Sequence, residues 1–228
     1  MIKSVTPFAI MALAAGSLQG ASLVNYDAAI AGSGFTSRTT DVSPTLDTTN
    51  SVAFDFGAIS GDATFEFIVS GDPVGGGQNG FLAVGTSDPA NSLRYEQWND
   101  TGQLGFTRGG VADNTFTAVN AATPTAEAHV TYRWTSASGT MDLFINGAPT
   151  DSIAGAVFDM PTGPGLLGNN AAGTEGMLGT ISRVTTFDSA LLDSEIAAHS
   201  AAWTSAIPEP SSAILTGMAA FALIRRRR

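Results

Sequence analysis

The sequence predicts an all-β fold made of antiparallel strands, and three observations carry this prediction. Strand-like segments recur about every ten residues, with Gly, Asn, Asp and Ser between them, which is the spacing of a sandwich or a barrel. Apolar and polar residues alternate within many of these segments, as expected for strands with one buried face. Helical patterns are absent between the strands, which disfavours a parallel α/β fold.

The first half of the domain contains five predicted strands. In the first of them, Phe65 and Phe67 alternate with polar residues, which is the period of a strand. Asp113-Asn114 is a predicted turn before the last of them, because Asp and Asn favour turn conformations. The five strands are predicted at residues 63–69, 81–84, 93–98, 103–107 and 115–119.

The most regular unit is a predicted three-stranded meander at residues 127–153. Val130, Tyr132 and Trp134 alternate with polar residues and therefore share one face of its first strand. The second strand alternates in the same way and ends at Asn146-Gly147. This pair predicts a type I′ turn, because both central residues of such a turn need positive φ.

The domain is predicted to end with a strand at residues 179–187 and a short helix. Ile181 and Val184 have opposite parity, which predicts a β-bulge or a strand covered on both faces. Asp193 is expected to cap the helix, with Glu195 in the first turn, where a negative charge is favourable. The inward stripe of this helix is predicted to contain Ile196, His199 or Ser200, and Trp203.

Both ends of the chain carry the pattern of an export signal. Lys3 precedes an apolar run at residues 5–18, and small residues follow at 20–22, which is the layout of a secretory signal peptide. After residues 208–210, the chain ends in a short, largely apolar segment and four arginines. The predicted organisation is a signal peptide at 1–21, one domain at 22–204, and a tail with a short apolar helix at 205–228.

The tail resembles the PEP-CTERM sorting signal of Gram-negative bacteria, whose three parts occur here in the same order. The sorting-signal residues are Pro208, Glu209, Pro210, Arg225, Arg226, Arg227 and Arg228. The resemblance implies recognition by an exosortase-type processing enzyme, transient insertion in the inner membrane, and release to the cell surface or the extracellular matrix, often among exopolysaccharide. A short membrane anchor that is retained is the alternative, and both place the domain outside the cell.

Two segments inside the domain resemble laminin-G-like, concanavalin A-like domains. HVTYRWTSASGTMDLFING at residues 129–147 is similar to their central hairpin, and GMLGTISRVTTFDSALLDSEI at 176–196 is similar to their closing strand and helix. The resemblance implies a two-sheet antiparallel jelly-roll sandwich with one short C-terminal helix. That superfamily includes hydrolases, lectins, calcium-binding adhesion modules and spacers, so the fold alone does not select a function.

Charge and composition exclude several classes of function. Without the predicted signal and tail, the chain keeps five arginines, nineteen carboxylates and no lysine, a net charge of −14. This charge disfavours nucleic acid and favours cations or neutral partners, although solubility alone would also explain it. The absence of cysteine excludes disulfides, thiol nucleophiles and thiolate metal sites.

The sequence also gives little support for catalysis, and we expect no enzyme activity and no catalytic residues. The Glu-x-Asp-x-x-Glu pattern of laminarinase-type hydrolases, which provides paired carboxylates, does not occur, and neither does the Gly-x-Ser-x-Gly elbow of serine hydrolases. His129 on a polar strand face and His199 on the helix are expected to be surface or packing residues.

Two candidate ligands remain after these exclusions. Calcium prefers the oxygen ligands that turns supply, but Asp and Asn favour turns for backbone reasons alone, so no cofactor is expected and calcium is retained as an alternative. The turn residues in question are Asp72, Asp88, Asn91, Asn99, Asp100, Asp113 and Asn114. Trp98, at a strand end, is the candidate for stacking against a glycan, with burial in the core as the alternative.

The expected function is an exported, non-enzymatic module of the cell surface or matrix, with extracellular polysaccharide as its candidate ligand. A calcium-dependent adhesion or lectin domain is the first alternative, and an unrecognised glycoside hydrolase is the second.

Overall fold

A computed structural model describes residues 26–31, 37–41, 45–47, 49–57, 59, 61–72, 80–85, 91–97, 101–158 and 163–204. The predicted signal peptide, the sorting tail and Trp98 lie outside these residues. The strands are β1 (Ser37–Asp41), β2 (Thr45–Asp47), β3 (Val52–Asp55), β4 (Ala63–Asp72), β5 (Phe81–Gly85), β6 (Ser92–Arg94), β7 (Gly105–Arg108), β8 (Ala112–Thr115), β9 (Ala128–Thr135), β10 (Thr140–Ile145), β11 (Ala148–Ile153), β12 (Pro164–Leu167) and β13 (Leu178–Phe187). Helix α1 covers residues 26–31, and helix α2 covers Asp193–Thr204.

The described strands form two antiparallel sheets. In sheet A the order is β1-β13-β4-β9-β10-β11, and β2 also pairs with β13. In sheet B the order is β3-β12-β5-β6-β7-β8. Neighbours in the sheets are often distant in the sequence, as in β4 between β13 and β9. The prediction of an all-β, two-sheet antiparallel jelly-roll sandwich with one short C-terminal helix is confirmed.

The main core lies between the inner faces of the two sheets. Sheet A contributes Phe65, Phe67 and Tyr132, and sheet B contributes Leu93 and Phe106, all fully buried. Burying an aromatic or aliphatic side chain of this size stabilises a fold by about 1.5–3 kcal/mol. The apolar residues that alternate in β4 and β9 therefore lie on one face of each strand and fill this core, as predicted.

The predicted meander and its turn are confirmed. The strands β9, β10 and β11 follow one another antiparallel. Asn146 has φ 52° and Gly147 has φ 77°, as a type I′ turn requires. The turn is fastened to the start of β9, because the His129 amide donates to Asn146 Oδ1 at 3.0 Å and the Asn146 amide donates to the His129 carbonyl at 2.7 Å.

The bulge expected in the last strand is also present. The register of β13 against β4 shifts between Ile181 and Arg183. Ser182 is the extra residue, and its hydroxyl donates to Glu127 Oε1 at 2.6 Å. The shift explains why Ile181 and Val184 both belong to the core despite their opposite parity.

Two predictions about the strands of sheet B were wrong in their boundaries. Of the predicted strand at 115–119, only Thr115 lies in a strand, as the last residue of β8. Val119 begins a 3-10 turn and is 96% exposed. The reason is that the hairpin turns at residues 109–111, so Asp113 and Asn114 pair within the ladder instead of forming a turn. Strand β6 stops at Arg94, short of the predicted residue 98.

Helix α2 starts where it was predicted, but Asp193 does not cap it. The Glu195 carboxylate accepts the Leu192 amide at 2.7 Å, so the first-turn glutamate fulfils the capping role. Asp193 is the first helical residue, and its carboxylate pairs with Arg133 at 2.6 Å. The predicted inward stripe is confirmed, since Ile196, His199 and Ser200 are buried and Trp203 packs against the apolar cluster beneath the helix.

Helices α1 and α2 cover the outer face of sheet A. They close a second apolar cluster against the strands, whose members include Tyr26, Ile30, Ile68, Phe187 and Ile196. The central strands β4 and β9 of sheet A are therefore largely buried on both faces. None of the helices in the described part of the chain is long and apolar enough to cross a membrane.

Replacing Gly147 with alanine is expected to destabilise the fold by more than backbone strain alone. A Cβ atom there would lie 2.8 Å from Cβ of Ser200 and 3.0 Å from Cα of Ala197, so the turn and α2 would have to separate. We expect a loss of about 2–4 kcal/mol of unfolding free energy, as the sum of positive-φ strain and overpacking.

Gly155→Ala is the matched control, because Gly155 has φ 69° and no atom within 4 Å of the added Cβ. It should lose only about 1–2 kcal/mol in urea unfolding. Equal losses in the two variants would show that α2 does not pack against this turn.

Candidate functional site

The outer face of sheet B carries a groove lined mostly by polar side chains. Leu93 and Phe106 lie opposite each other and point into the core, so their neighbours Arg94 and Thr107 point outward. A cavity of about 570 Å³ lies over this surface. Its lining includes Phe81, Arg94, Thr107, Arg108, Asp113, Asn170 and Glu175, together with the β7–β8 turn.

Arg94 forms the floor of this groove. Its guanidinium carbon lies 3.7 Å from the centroid of the Phe81 ring, and Nη1 donates to Glu175 Oε2 at 2.6 Å. Burial lowers the pKa of Arg94 from its ordinary value, and the adjacent Glu175 and Asp113 carboxylates oppose that effect. An arginine with two such partners stays protonated, so the floor is a buried ion pair beneath an aromatic ring.

Glu175 is held over the floor by its own backbone. Its amide donates to Asn169 Oδ1 at 3.1 Å, and its carbonyl accepts the Phe81 amide at 3.2 Å. These bonds fix the loop before β13 against β5. The Glu175 side chain is 29% exposed, which leaves part of the carboxylate open to the groove.

The opposite wall is the β7–β8 hairpin. The Thr107 hydroxyl donates to Asp113 Oδ1 at 2.7 Å, and Asn91 Oδ1 accepts the Gly109 amide at 3.0 Å. The Gln97 side-chain amide donates to the Asn114 carbonyl at 2.9 Å and to the Phe106 carbonyl at 2.9 Å. The hairpin is therefore braced from behind, and Asp113 is left exposed at the rim.

The groove is balanced in charge although the domain is not. Arg94 and Arg108 are opposed by Asp113 and Glu175, whereas the whole predicted mature chain carries −14. The hairpin turn adds Val111, an apolar side chain that is 57% exposed. Clustered donors and acceptors beside this aliphatic side chain suit a hydroxyl-rich ligand, which needs hydrogen bonds on its edges and apolar contact on its faces. The Phe81 ring is covered by Arg94 and is only 1% exposed, so Val111 is the apolar contact that the groove offers.

Apart from Asp113, which was a calcium candidate, the residues of the groove were not singled out by the sequence. Trp98, the predicted glycan contact, lies outside the described residues. Arg94 and Glu175 are 81 positions apart and meet only because β6 and the loop before β13 are adjacent in space. The sequence offered no signal for Arg94, because this residue occupies a polar position of an alternating strand, as a solvent-facing residue would.

The residues proposed for calcium have several different environments. Asp88, Asn99 and Asp100 lie outside the described part of the chain, and Asp72 is the last residue of β4. Asn91, Asp113 and Asn114 all lie at the β7–β8 hairpin, where they brace the turn or line the groove. Within the described ranges, no group of three or more His, Asp or Glu residues is placed to hold a metal ion. Calcium binding stays a prediction.

Four of the five domain glutamates have structural roles outside the groove. Glu96 Oε1 accepts the Gly102 amide at 3.1 Å, Glu127 accepts the Ser182 hydroxyl, and Glu195 caps α2. Glu66 is fully buried. Glu175 is the remaining glutamate, and it shares the groove with Asp113, a pair of carboxylates that the sequence motifs did not reveal.

A second polar cluster is buried between sheet A and the helices. The Tyr26 hydroxyl donates to Glu66 Oε2 at 2.7 Å, and His199 Nδ1 lies 3.0 Å from Glu66 Oε1. His129 Nε2 lies 3.4 Å from Glu66 Oε2. All four residues are at most 2% exposed. His129 and His199 were expected to be surface or packing residues, and packing is confirmed.

This cluster keeps a carboxylate ionised in the interior. Burial would raise the pKa of Glu66, but the charges and hydrogen bonds of His129 and His199 outweigh it and lower the pKa from 4.5 to about 2. Burial also raises the pKa of Tyr26 well above its ordinary value, which keeps its hydroxyl proton available for Glu66. Because the cluster is sealed from solvent, its role is to hold α1, α2, β4 and β9 together.

Glu66→Gln is expected to destabilise the protein most at neutral pH. A carboxylate whose folded pKa lies below its unfolded value stabilises the fold above about pH 4.5, and this contribution is lost as the pH falls towards 2. The lowered pKa corresponds to roughly 3 kcal/mol. The difference in unfolding free energy between wild type and variant should therefore be about that size at pH 7 and should shrink below pH 4.

Tyr26→Phe is the control, because it removes one donor and leaves the charge of Glu66. Its loss should be near 1–2 kcal/mol and should change little with pH between 5 and 8. A Glu66→Gln difference that is constant from pH 7 to pH 3 would contradict an ionised Glu66.

Comparisons with known proteins agree with this architecture. A laminin G family model, described as concanavalin A-like lectin/glucanases superfamily, matches residues 28–197. No curated protein is significantly similar to the chain. Domain 4 of AbnA, a GH43 extracellular arabinanase from Geobacillus stearothermophilus, was solved with arabinotriose; it has a TM-score of 0.54 and 16% identity, over 73% of this chain and 82% of that one.

Two further structures have the same fold. The CBM40 of Ruminococcus gnavus IT-sialidase, bound to α2,6 sialyllactose, has a TM-score of 0.50 and 15% identity, over 72% of this chain and 98% of that one. The NanB sialidase from Streptococcus pneumoniae has a TM-score of 0.53 and 16% identity, but the match covers 70% of this chain and only 27% of NanB. At these identities the likeness concerns the fold.

Proposed function

Because this chain belongs to the concanavalin A-like lectin/glucanases superfamily, we propose that it is an exported, non-enzymatic module that binds glycans in the groove on sheet B. The observation that carries the proposal is the constellation of Arg94, Glu175, Thr107 and Asp113 beside the Phe81 ring. Two structural neighbours, the arabinanase domain and the sialidase CBM40, were solved with oligosaccharides, which supports this class of ligand.

The absence of catalysis is part of the proposal. Hydrolysis by paired carboxylates needs one group that donates a proton and one that attacks or activates water. Glu175 is held in an ion pair with Arg94, and Asp113 accepts the Thr107 hydroxyl. This arrangement supplies fixed acceptors for a bound ligand. In the glycoside hydrolase alternative, these two residues would cleave the bound glycan, and the release of reducing ends would reveal it.

The proposed location is outside the cell of a Gram-negative bacterium, at the surface or in the matrix. This rests on the signal-peptide pattern at residues 1–21 and the PEP-CTERM-like tail at 205–228. An exosortase-type enzyme is the proposed processing partner, with transient inner-membrane insertion of the tail. Extracellular polysaccharide is the proposed ligand, and Trp98 stays a predicted glycan contact.

Asp113→Asn is expected to weaken glycan binding by about three- to tenfold. Asp113 is exposed, so the fold should survive, whereas a ligand hydroxyl would lose a charge-assisted hydrogen bond. A glycan array probed with the purified exported protein, with calcium or with a chelator, identifies the ligand. Titration then compares wild type with the variant.

Asp188→Asn makes the same change of charge outside the groove and should bind as wild type does. Binding that disappears with the chelator would favour the calcium-dependent lectin alternative. Release of reducing ends from the bound glycan would establish the hydrolase alternative. An array without any bound glycan would refute the proposed function.

The processing proposal predicts the mass of the mature chain. Protein isolated from its native host should begin near Ala21 or Ser22 and should lack Arg225–Arg228, because the signal peptide and the tail are removed. Intact mass spectrometry measures both ends at once. A mass that retains the four arginines would leave the retained membrane anchor as the explanation of the tail.

A further inference from the structure

Building on the proposed glycan function, we propose that the groove selects uncharged glycans and discriminates against glycans that carry carboxylates, with Glu175 as the specificity-determining residue. The ligand class is a neutral oligosaccharide whose adjacent hydroxyls donate to the Glu175 and Asp113 carboxylates.

Arg94 already has an ion-pair partner in the groove, Glu175. A ligand carboxylate would need this guanidinium as its counter-ion, as the deepest cation in the groove. Its Nη1 is bonded to Glu175 at 2.6 Å, one of its faces is covered by Phe81, and its side chain is only 6% exposed. Capture of Arg94 by an anionic sugar would leave Glu175 without its partner beside a second negative charge, which is strongly unfavourable for a partly buried group.

The two carboxylates of the groove have room for further hydrogen-bond donors. Among the described residues, hydrogen bonds engage Oε2 of Glu175 and Oδ1 of Asp113. Each carboxylate has about four lone-pair positions, so each can accept more. Sugar hydroxyls are donors, and hydroxyl-to-carboxylate bonds are short and strong. A sugar carboxylate offers no proton to these positions at neutral pH.

The electrostatic field in and around the groove does not favour an anionic ligand. Arg108 is half-exposed at the groove, but Asp113 lies on the same hairpin, and the two charges offset each other. Beyond the groove, the predicted mature chain carries −14. An anionic glycan therefore meets repulsion on approach and gains no excess of positive charge on arrival. An uncharged glycan is indifferent to the surrounding field.

The experiment measures the ratio of two affinities at low salt. The purified exported protein is titrated with a neutral oligosaccharide chosen from the array and with its uronate counterpart of equal length and linkage. Wild type should bind the neutral glycan at least tenfold more tightly. In Glu175→Gln, the affinity for the neutral glycan should fall about tenfold, because its hydroxyls lose a charge-assisted hydrogen bond. The affinity for the uronate should rise, because the repelling charge is removed while an acceptor is kept.

Glu127→Gln is the matched control, since Glu127 lies outside the groove and contacts Ser182. It should leave the ratio unchanged. Melting temperatures verify that each variant folds, and Asp113→Asn, at an exposed position, should move the ratio in the same direction if Glu175→Gln does not fold.

Each outcome bears on a different statement. Tighter binding of the uronate by wild type would overturn the selectivity while leaving glycan binding intact. Equal ratios in Glu175→Gln and Glu127→Gln would overturn the assignment of Glu175. Failure to bind any glycan would refute the proposed function itself, and the selectivity with it.

Discussion

The register of β4 between β13 and β9 is the constraint on which the rest of the structure depends. One face of β4 places Phe65 and Phe67 in the core between the sheets, and the other places Glu66 beneath the helices. A shift of one residue would exchange these faces, putting a carboxylate in the aromatic core and two phenylalanines among histidines. Because both faces are buried, the register is specified twice.

Tyr132 links the register of sheet A to the position of the groove on sheet B. This residue lies opposite Phe65 in sheet A, and its hydroxyl crosses the core to donate to the Arg94 carbonyl at 2.7 Å. On the same strand end, the Thr123 hydroxyl donates to the Tyr95 carbonyl at 2.9 Å. The backbone that carries Arg94 is thus positioned by the opposite sheet. A groove built on such a strand is organised before any ligand arrives, which lowers the entropy lost on binding.

Local patterns revealed the fold far better than the site. The Asn146-Gly147 turn, the bulge near Ser182 and the inward stripe of α2 each depend on residues within a few positions of one another. The Glu66 cluster pairs Glu66 with His199, 133 positions away, and Glu66 in an alternating strand resembles any solvent-facing residue. Glu66 is buried only because the helices cover this face of the strand, and strand periodicity carries no information about those helices.

The same limit explains the error at Asp113. Asp and Asn favour turns when they are considered alone, yet pairing with β7 placed them in a strand and moved the turn to the glycines. Tertiary pairing overrides such preferences because each ladder contact adds to those beside it. The exposed carboxylate that results faces the groove.

Positive charges are scarce in this chain, and three arginines hold together elements that are distant in the sequence. Arg133 joins β9 to α2 through Asp193, Arg183 joins β13 to α1 through Asp27, and Arg94 joins β6 to the loop before β13. All three cations connect elements that are distant in the sequence, in a chain where carboxylates outnumber arginines. A ligand that recruited one of them would compete with the fold for it. Recognition through acceptors avoids this competition, because the surplus carboxylates can bind hydroxyls without releasing any structural pair.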